Sequence, residues 1–448
     1  MKRRPLLALI AAMALVVAAC GGARQDEQAQ TDPSEAAASG GGATGGATEQ
    51  AAACGEPSTG VTDDTVKLGG IYPLSGPASA YGAIPVALQA FFDYANEELG
   101  GAPGAFEGRT FEYVVEDDSY SPPNTVEAAR KLVEQDQVFA LYQVLGTPPN
   151  AAIWDYTNEQ EVPQLFVATG ATMFGLDTAN HPWTMGWQPN YVAESRVYAQ
   201  YLKDNHPDAK VAVLFQNDDY GMDYLEGFKQ AIADSDIEIV AEQSYETTDA
   251  TIDSQMTNLA RSDADVFFNI TTPSFAVQAM AYDAQNDWDV LHLLNNVSAS
   301  LTTVGAVGFE PLQGMVTAVY TKDAADPQWD DDEDMQLYLE KLEQYAPDAD
   351  PNNGYHVYGW TVGNALYKVM ENTQCPTRES LMEAARNLDS VEVDMLLPGV
   401  TMTTNGEEDA FPLEAMQIAH LEGQRWALEG EVIDAREVYG PVSDDVTE

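Results

Sequence analysis

Basic residues are scarce in this chain. Its 448 residues include 20 lysines and arginines against 72 aspartates and glutamates, a formal net charge of −52. Binding nucleic acid requires a basic surface that displaces counterions from phosphates, so that class of partner is excluded. The acid is spread along the whole sequence. It describes a solvated surface suited to a salty or alkaline exterior, where ions screen the self-repulsion. There are only 5 histidines and 3 cysteines, none at the spacing of a zinc site, so no metal or cofactor is expected. Asp330–Asp334 is dense in carboxylate but lacks the glycine and spacing of a calcium loop, and reads as an exposed helix start. The sequence has no Gly-x-Ser-x-Gly elbow and no histidine in a triad pattern, which argues against a hydrolase. Beyond the N-terminal end, no apolar stretch is long enough to cross a bilayer.

At the N-terminal end, Lys2, Arg3 and Arg4 precede the apolar run Leu6–Val17, and Val17-Ala18-Ala19 leads into Cys20. A positive start, a short apolar centre and small residues make a secretory signal over residues 1–20. The apolar run is too short for a spanning helix. Its terminal cysteine resembles the lipobox of bacterial lipoproteins, which implies cleavage, acylation of Cys20 and a chain held by lipid on the outer side of the cell membrane. Gly21–Ala53 is Gly, Ala, Ser, Thr, Gln and acid. Such a segment buries too little apolar surface to offset its ordering entropy, and a flexible stalk is expected over 21–61. With Cys20 assigned to lipid, Cys54 and Cys375 remain. They are either a disulfide, as an oxidising compartment favours, or two free thiols.

The roughly 400 remaining residues suit two domains. Short apolar runs at Val66–Tyr72, Phe111–Glu116, Phe139–Gln143 and Gln164–Val167 alternate with helical patterns. The alternation restarts with a helix at Tyr191–Asn205 and strands at Lys210–Phe215, Ile237–Ser244, Val266–Ile270 and Val290–Leu294. Strands apolar on both faces between helices argue two parallel α/β sheets. Three helical patterns then follow, at Asp334–Tyr345, Tyr355–Asn372 and Arg378–Leu388, and β-like pieces come last, at Ala415–Leu421 and Arg425–Leu428. A chain that revisits both domains accounts for that third section.

The loop Pro73-Leu74-Ser75-Gly76-Pro77 with Tyr81-Gly82, the pair Asp117-Asp118, and Asn217-Asp218-Asp219-Tyr220-Gly221 together resemble the branched-chain amino acid type of periplasmic binding protein. The likeness runs over roughly Thr62 to Gly440. It implies a type I periplasmic binding protein fold, α/β, with two Rossmann-like lobes joined by a three-crossing hinge and a ligand cleft between them. Lobe one would be 62–188 and 317–389, lobe two 189–316 and 390–440, and 441–448 a C-terminal tail.

Two corners carry local logic of their own. In Leu145-Gly146-Thr147-Pro148, Thr147 suits a helix cap, Pro148 the first turn and Gly146 a close approach of ligand to backbone. Ala168-Thr169-Gly170-Ala171-Thr172 follows a strand, where open parallel sheets bind ligands. The resemblance implies that Gly146, Thr147, Gly170, Ala171 and Thr172 hold the ligand's polar head. It also implies that Tyr81 and Tyr220 line the pocket, one from each lobe. Trp187 is placed at the first crossing, facing the cleft. Lobe two contributes the loops of Thr272 and Asn296, and both lack the acid that amino acid binders direct at the ligand's ammonium. The sequence therefore anticipates a required carboxylate on the ligand, an amine of less importance, and Asp218 or Asp219 as the alternative partner for an amine.

The function expected is a lipid-anchored solute-binding protein, monomeric and not an enzyme, that hands a small carboxylate or amino acid to the permease of an ABC importer. A sensor receptor with the same fold remains the alternative.

Overall fold

The computed structural model describes residues 54–286, 288–406 and 409–442. The signal segment, Cys20, the expected stalk as far as residue 53 and residues 443–448 lie outside the described residues. Among the described residues, no helix is long and apolar enough to cross a membrane.

The first sheet has five strands: β1 (Thr65–Tyr72), β2 (Thr110–Asp117), β3 (Ala140–Tyr142), β4 (Gln164–Val167) and β5 (Thr184–Gly186). Their order is β2-β1-β3-β4-β5, all parallel. The helices between them are α1 (Ala83–Tyr94), α2 (Pro122–Arg130) and α3 (Thr147–Glu159). After α4 (Tyr191–Asn205) comes a second sheet. Its parallel part is β6 (Lys210–Gln216), β7 (Glu238–Tyr245), β8 (Val266–Ile270), β9 (Leu291–Leu294) and β10 (Val316–Val319). Helices α5 (Asp219–Ile232), α6 (Asp253–Leu259) and α7 (Pro273–Asn286) connect them. The chain then supplies α8 (Glu333–Tyr345), α9 (Gly354–Asn372) and α10 (Arg378–Ala385) to the first sheet's side. It returns as the antiparallel pair β11 (Ala415–Glu422) and β12 (Arg425–Asp434), which completes the order β12-β11-β10-β9-β8-β6-β7. The two sheets and their helices are the two lobes.

The apolar pattern explains both sheets. Every residue of β8, Val-Phe-Phe-Asn-Ile, is buried, as is every residue of β4. Strands covered by helices on both faces need such runs. Helix α9 lies close on α1 because Gly359 has no side chain: a Cβ there would sit 2.2 Å from the carbonyl oxygen of Ile84. Asp332 caps α8 by accepting the Met335 N–H at 3.0 Å, so the acidic run is a helix start.

Two boundaries differ from those read in the sequence. Residues 317–319 pair in the second sheet with β11, so the return to lobe one comes after Val319. Residues 54–61, expected at the end of the stalk, are held on lobe one. Cys54 is disulfide-bonded to Cys375, Ser58 N–H donates to Pro376 O at 3.1 Å, and Val61 bridges Val66.

Three crossings join the lobes: after Gly186, after Val319 and between Ala385 and Ala415. The second and third pair with each other, Lys322 N–H donating to Met395 O at 2.8 Å and Leu397 N–H to Tyr320 O at 2.9 Å. Trp187 does not face the cleft. It is fully buried among the crossings, its indole N–H directed at Met402 Sδ at 3.1 Å and its ring edge-to-face with Tyr320 and Tyr358.

Candidate functional site

The loops at the carboxyl ends of the strands in both sheets converge on a cavity with an empty volume of about 1000 Å³, open mouth included. This is where open parallel sheets place ligands. Lobe one contributes Tyr81, Tyr120, Gly146, Tyr355 and Tyr358. Lobe two contributes Tyr220, Thr272, Asn296 and Ser300, and the crossings contribute Gln188, Tyr320 and Lys322.

Five residues expected at the ligand line this cavity: Tyr81, Gly146, Tyr220, Thr272 and Asn296. The tyrosines are set by local structure. Asp218 caps α5 by accepting from the N–H groups of Tyr220 and Gly221, which turns the Tyr220 ring inward. Its hydroxyl then donates to Asn295 Oδ1 at 2.5 Å, while the Asn295 amide donates to the carbonyls of Asn269 and Thr271. Asn296 is fixed by two bonds, its N–H to Glu194 at 2.7 Å and its side-chain amide to Ala318 O at 2.7 Å. Asp218 itself is spent on the cap and on Gln216, so it is not directed at the cavity as a partner for an amine.

The other four expected residues do not line the cavity. The Thr147 hydroxyl is buried against that of Thr169 at 2.6 Å. The start of α3 offers few donors, because Pro148 and Pro149 carry no N–H. Gly170 serves close packing: a Cβ there would lie 2.6 Å from Pro189 O and 2.8 Å from the Tyr191 ring. Ala171 is buried beside it. Thr172 has its donors taken by the protein. Its N–H and hydroxyl both donate to Asp223 Oδ2, at 2.7 and 3.0 Å, and Asp223 stands on α5 of the other lobe. A carboxylate does occupy the second corner, and it belongs to the chain.

Three more bonds cross between lobes at the start of α9. Asn353 Oδ1 accepts from the hydroxyls of Ser300 at 2.9 Å and Thr302 at 3.3 Å, and the Tyr355 hydroxyl donates to Val297 O at 3.2 Å.

Aromatic rings dominate the lining. Tyr81 and Tyr355 meet edge-to-face at 5.2 Å, Tyr191 and Tyr220 at 5.0 Å, and Trp426 closes the floor with its N–H on Ala299 O. Among the described residues, the charged side chains lining the cavity are Lys322 and Asp323. The Lys322 ammonium is bonded to Asp332 at 2.7 and 2.9 Å and to Asp334 at 2.9 Å, so its charge is already matched. Asp323 accepts the N–H groups of Ala325 and Trp426, and burial pushes its carboxyl above the usual range. Behind the lining, burial raises Glu194 to about 7, against the hydrogen bonds it accepts from Tyr224, Asn296 and Tyr198. Among the described residues no group of three or more His, Cys, Asp or Glu is placed to hold a metal ion.

Sequence reading missed Tyr120, Tyr191, Tyr320, Tyr355, Tyr358 and Trp426. For Tyr120 a signal existed, since it stands two residues after the recognised Asp117-Asp118. Gly146 makes room for it: the Cβ of an alanine there would fall 2.4 Å from the Tyr120 ring, at a backbone φ of +96°. Gly146→Ala is expected to cost roughly 1–3 kcal/mol and to push Tyr120 into the cleft. A urea midpoint equal to that of the parent would count against this packing.

A family model described as periplasmic binding protein matches residues 65–425. The Leu/Ile/Val-binding protein homolog 3 of Brucella melitensis is 27% identical over 219 residues, covering 49% of this chain and 57% of that one. The chain therefore spans little more than half the length of that curated relative. Among solved structures, a branched-chain amino acid ABC transporter protein from Thermus thermophilus with bound valine superposes with a TM-score of 0.72 at 16% identity, covering 85% of this chain and 99% of that one. An R. palustris solute-binding protein in complex with benzoate gives 0.68 at 17% identity, covering 82% and 96%. Two lobes, three crossings and a cleft at the strand ends agree with a family match that spans most of the sequence, and the chain belongs to the periplasmic binding protein family, whose members bind solutes and are not enzymes.

Proposed function

We propose that this chain is the lipid-anchored, extracytoplasmic receptor of an ABC importer, taking one small solute into its cleft and delivering it to the permease as a monomer. One observation carries the reading: a single cavity is lined by both lobes and by the crossings between them. A ligand there touches both lobes at once and so favours their closed arrangement over an open one. Lobe one is taken as 54–188 and 320–389, and lobe two as 189–319 and 390–440. The solved relatives with valine and with benzoate support a ligand of that size. The carboxylate anticipated from the sequence has less support, because Thr172 is engaged by Asp223 and the cavity's cation by Asp332 and Asp334.

Scattering from the purified protein tests the mechanism. Saturating ligand is expected to shift the profile toward a more compact particle, and an identical profile would sink the closure reading. The anchor is tested separately. The mature protein should sediment with membranes, and Cys20→Ser should release it or block maturation.

A further inference from the structure

Part of the cavity's hydrogen-bonding capacity is spent within the protein. The Tyr220 hydroxyl hydrogen goes to Asn295, that of Tyr355 to Val297 O and that of Tyr358 to Gln188 Oε1 at 3.1 Å. Ser300 donates to Asn353, Asn296 to Ala318 O, and Trp426 to Ala299 O. These groups turn aromatic faces and oxygen lone pairs to the space they enclose, while the hydroxyls of Tyr81, Tyr191 and Tyr320 and the Gln188 amide also line it and can donate. The lining's ammonium is held by two aspartates. Among the described residues no other basic side chain lines the cavity, whereas the Asp323 carboxylate does. The corner that could hold a ligand carboxylate is occupied by Asp223, which takes both donors of Thr172.

A buried anion in such a place would meet no unmatched positive charge, which is costly. A cation meets ring faces, whose quadrupoles attract positive charge, and acceptors that match its N–H groups. The formal net charge of −52 acts in the same direction, drawing cations toward the molecule and repelling anions.

We propose that the solute is a small organic cation, an amine with an apolar body and no carboxylate, its positive group set among the tyrosine faces beside Asp323. The proposal rests on the solute-receptor reading and names the class of ligand for the same cleft.

The test compares head groups on one skeleton. Binding of 3-methylbutylamine, leucine, 4-methylpentanoate and 3-methylbutanol is measured by calorimetry and by the shift in melting temperature. Benzylamine, benzoate and benzyl alcohol form a second series. The amines are expected to bind at least about tenfold more tightly than the acid and the alcohol of the same skeleton. If an acid or alcohol binds as tightly as its amine, the cation proposal is wrong while the receptor reading stands. If no probe in either series binds, nor valine, both readings fail. Asp323→Asn gives a second arm, since it removes the carboxylate that lines the cavity. The advantage of 3-methylbutylamine over 3-methylbutanol should fall by about tenfold. An unchanged ratio would overturn the proposal.

Discussion

Stability is expected to fall as pH rises from about 4.5 through about 7, the reverse of ordinary acid denaturation. Burial raises Glu194 from its ordinary 4.5 to about 7, and Asp223 from 3.8 to about 7, the neighbouring Asp219 and Asp218 adding to the second shift. Between the ordinary and raised values the folded chain holds protons that the unfolded chain has released. By linkage the contribution is fully present below the unfolded values and is lost as pH rises through the folded ones. Each fully shifted group is worth roughly 3–4 kcal/mol at its limit, so the pair gives a decline of several kcal/mol. Self-repulsion in so acidic a chain has the same sign but is screened by salt. Urea unfolding across this window, in constant high salt, reads the buried carboxyls together, since burial also raises Glu414 to about 7 and Asp394 to about 6, and substitution separates the share of Glu194 and Asp223. Glu194→Gln and Asp223→Asn keep acceptors for the neighbouring donors and should each flatten the slope. A profile that is level or rises with pH, or variants that keep the full slope, would remove these two carboxyls from the account.

Trp187→Ala is expected to lose about 3–5 kcal/mol, the range for deleting a large aromatic from a packed interior. The ring fills the space among three crossings and touches Tyr320 and Tyr358, and the substitution also leaves Met402 without its N–H partner. Trp187→Phe keeps part of the volume and should lose about half as much. Both are read from chemical denaturation without ligand. A loss under about 1 kcal/mol for the alanine variant would mean that the crossings repack around the gap.

The sequence revealed what depends on local pattern. Gln164–Val167, Tyr191–Asn205 and Val266–Ile270 were readable to the residue, because apolar runs and capping residues mark their ends. Thr184–Gly186 was not: three residues with a glycine make no period. Val316–Val319 was missed because its partners on one side, Gln417–His420, lie about a hundred residues further on. The candidate site divides the same way. Tyr81 and Tyr220 stand in loops with recognisable turn chemistry. The role of Thr172 depended on a carboxylate 51 positions away that reaches it only when the two lobes meet. That of Trp187 depended on Met402, 215 positions away. The charge balance of the cleft was hidden for the same reason. Nothing near Lys322 in the sequence says that its ammonium turns to Asp332 and Asp334 rather than to a ligand.

The disulfide between Cys54 and Cys375 has a mechanical consequence. Cys375 lies between α9 and α10, on the side of the first sheet, and Arg378 ties the same place down, its N–H to Ser58 Oγ and its guanidinium to the carbonyls of Phe139, Val138 and Glu161. Any pull arriving along the chain before Cys54 is therefore delivered to one lobe only, through a covalent link. Such a load moves the whole body or turns it, but does no work on the angle between the lobes. A load applied at Cys54 bears directly on lobe one and reaches lobe two only through the three crossings.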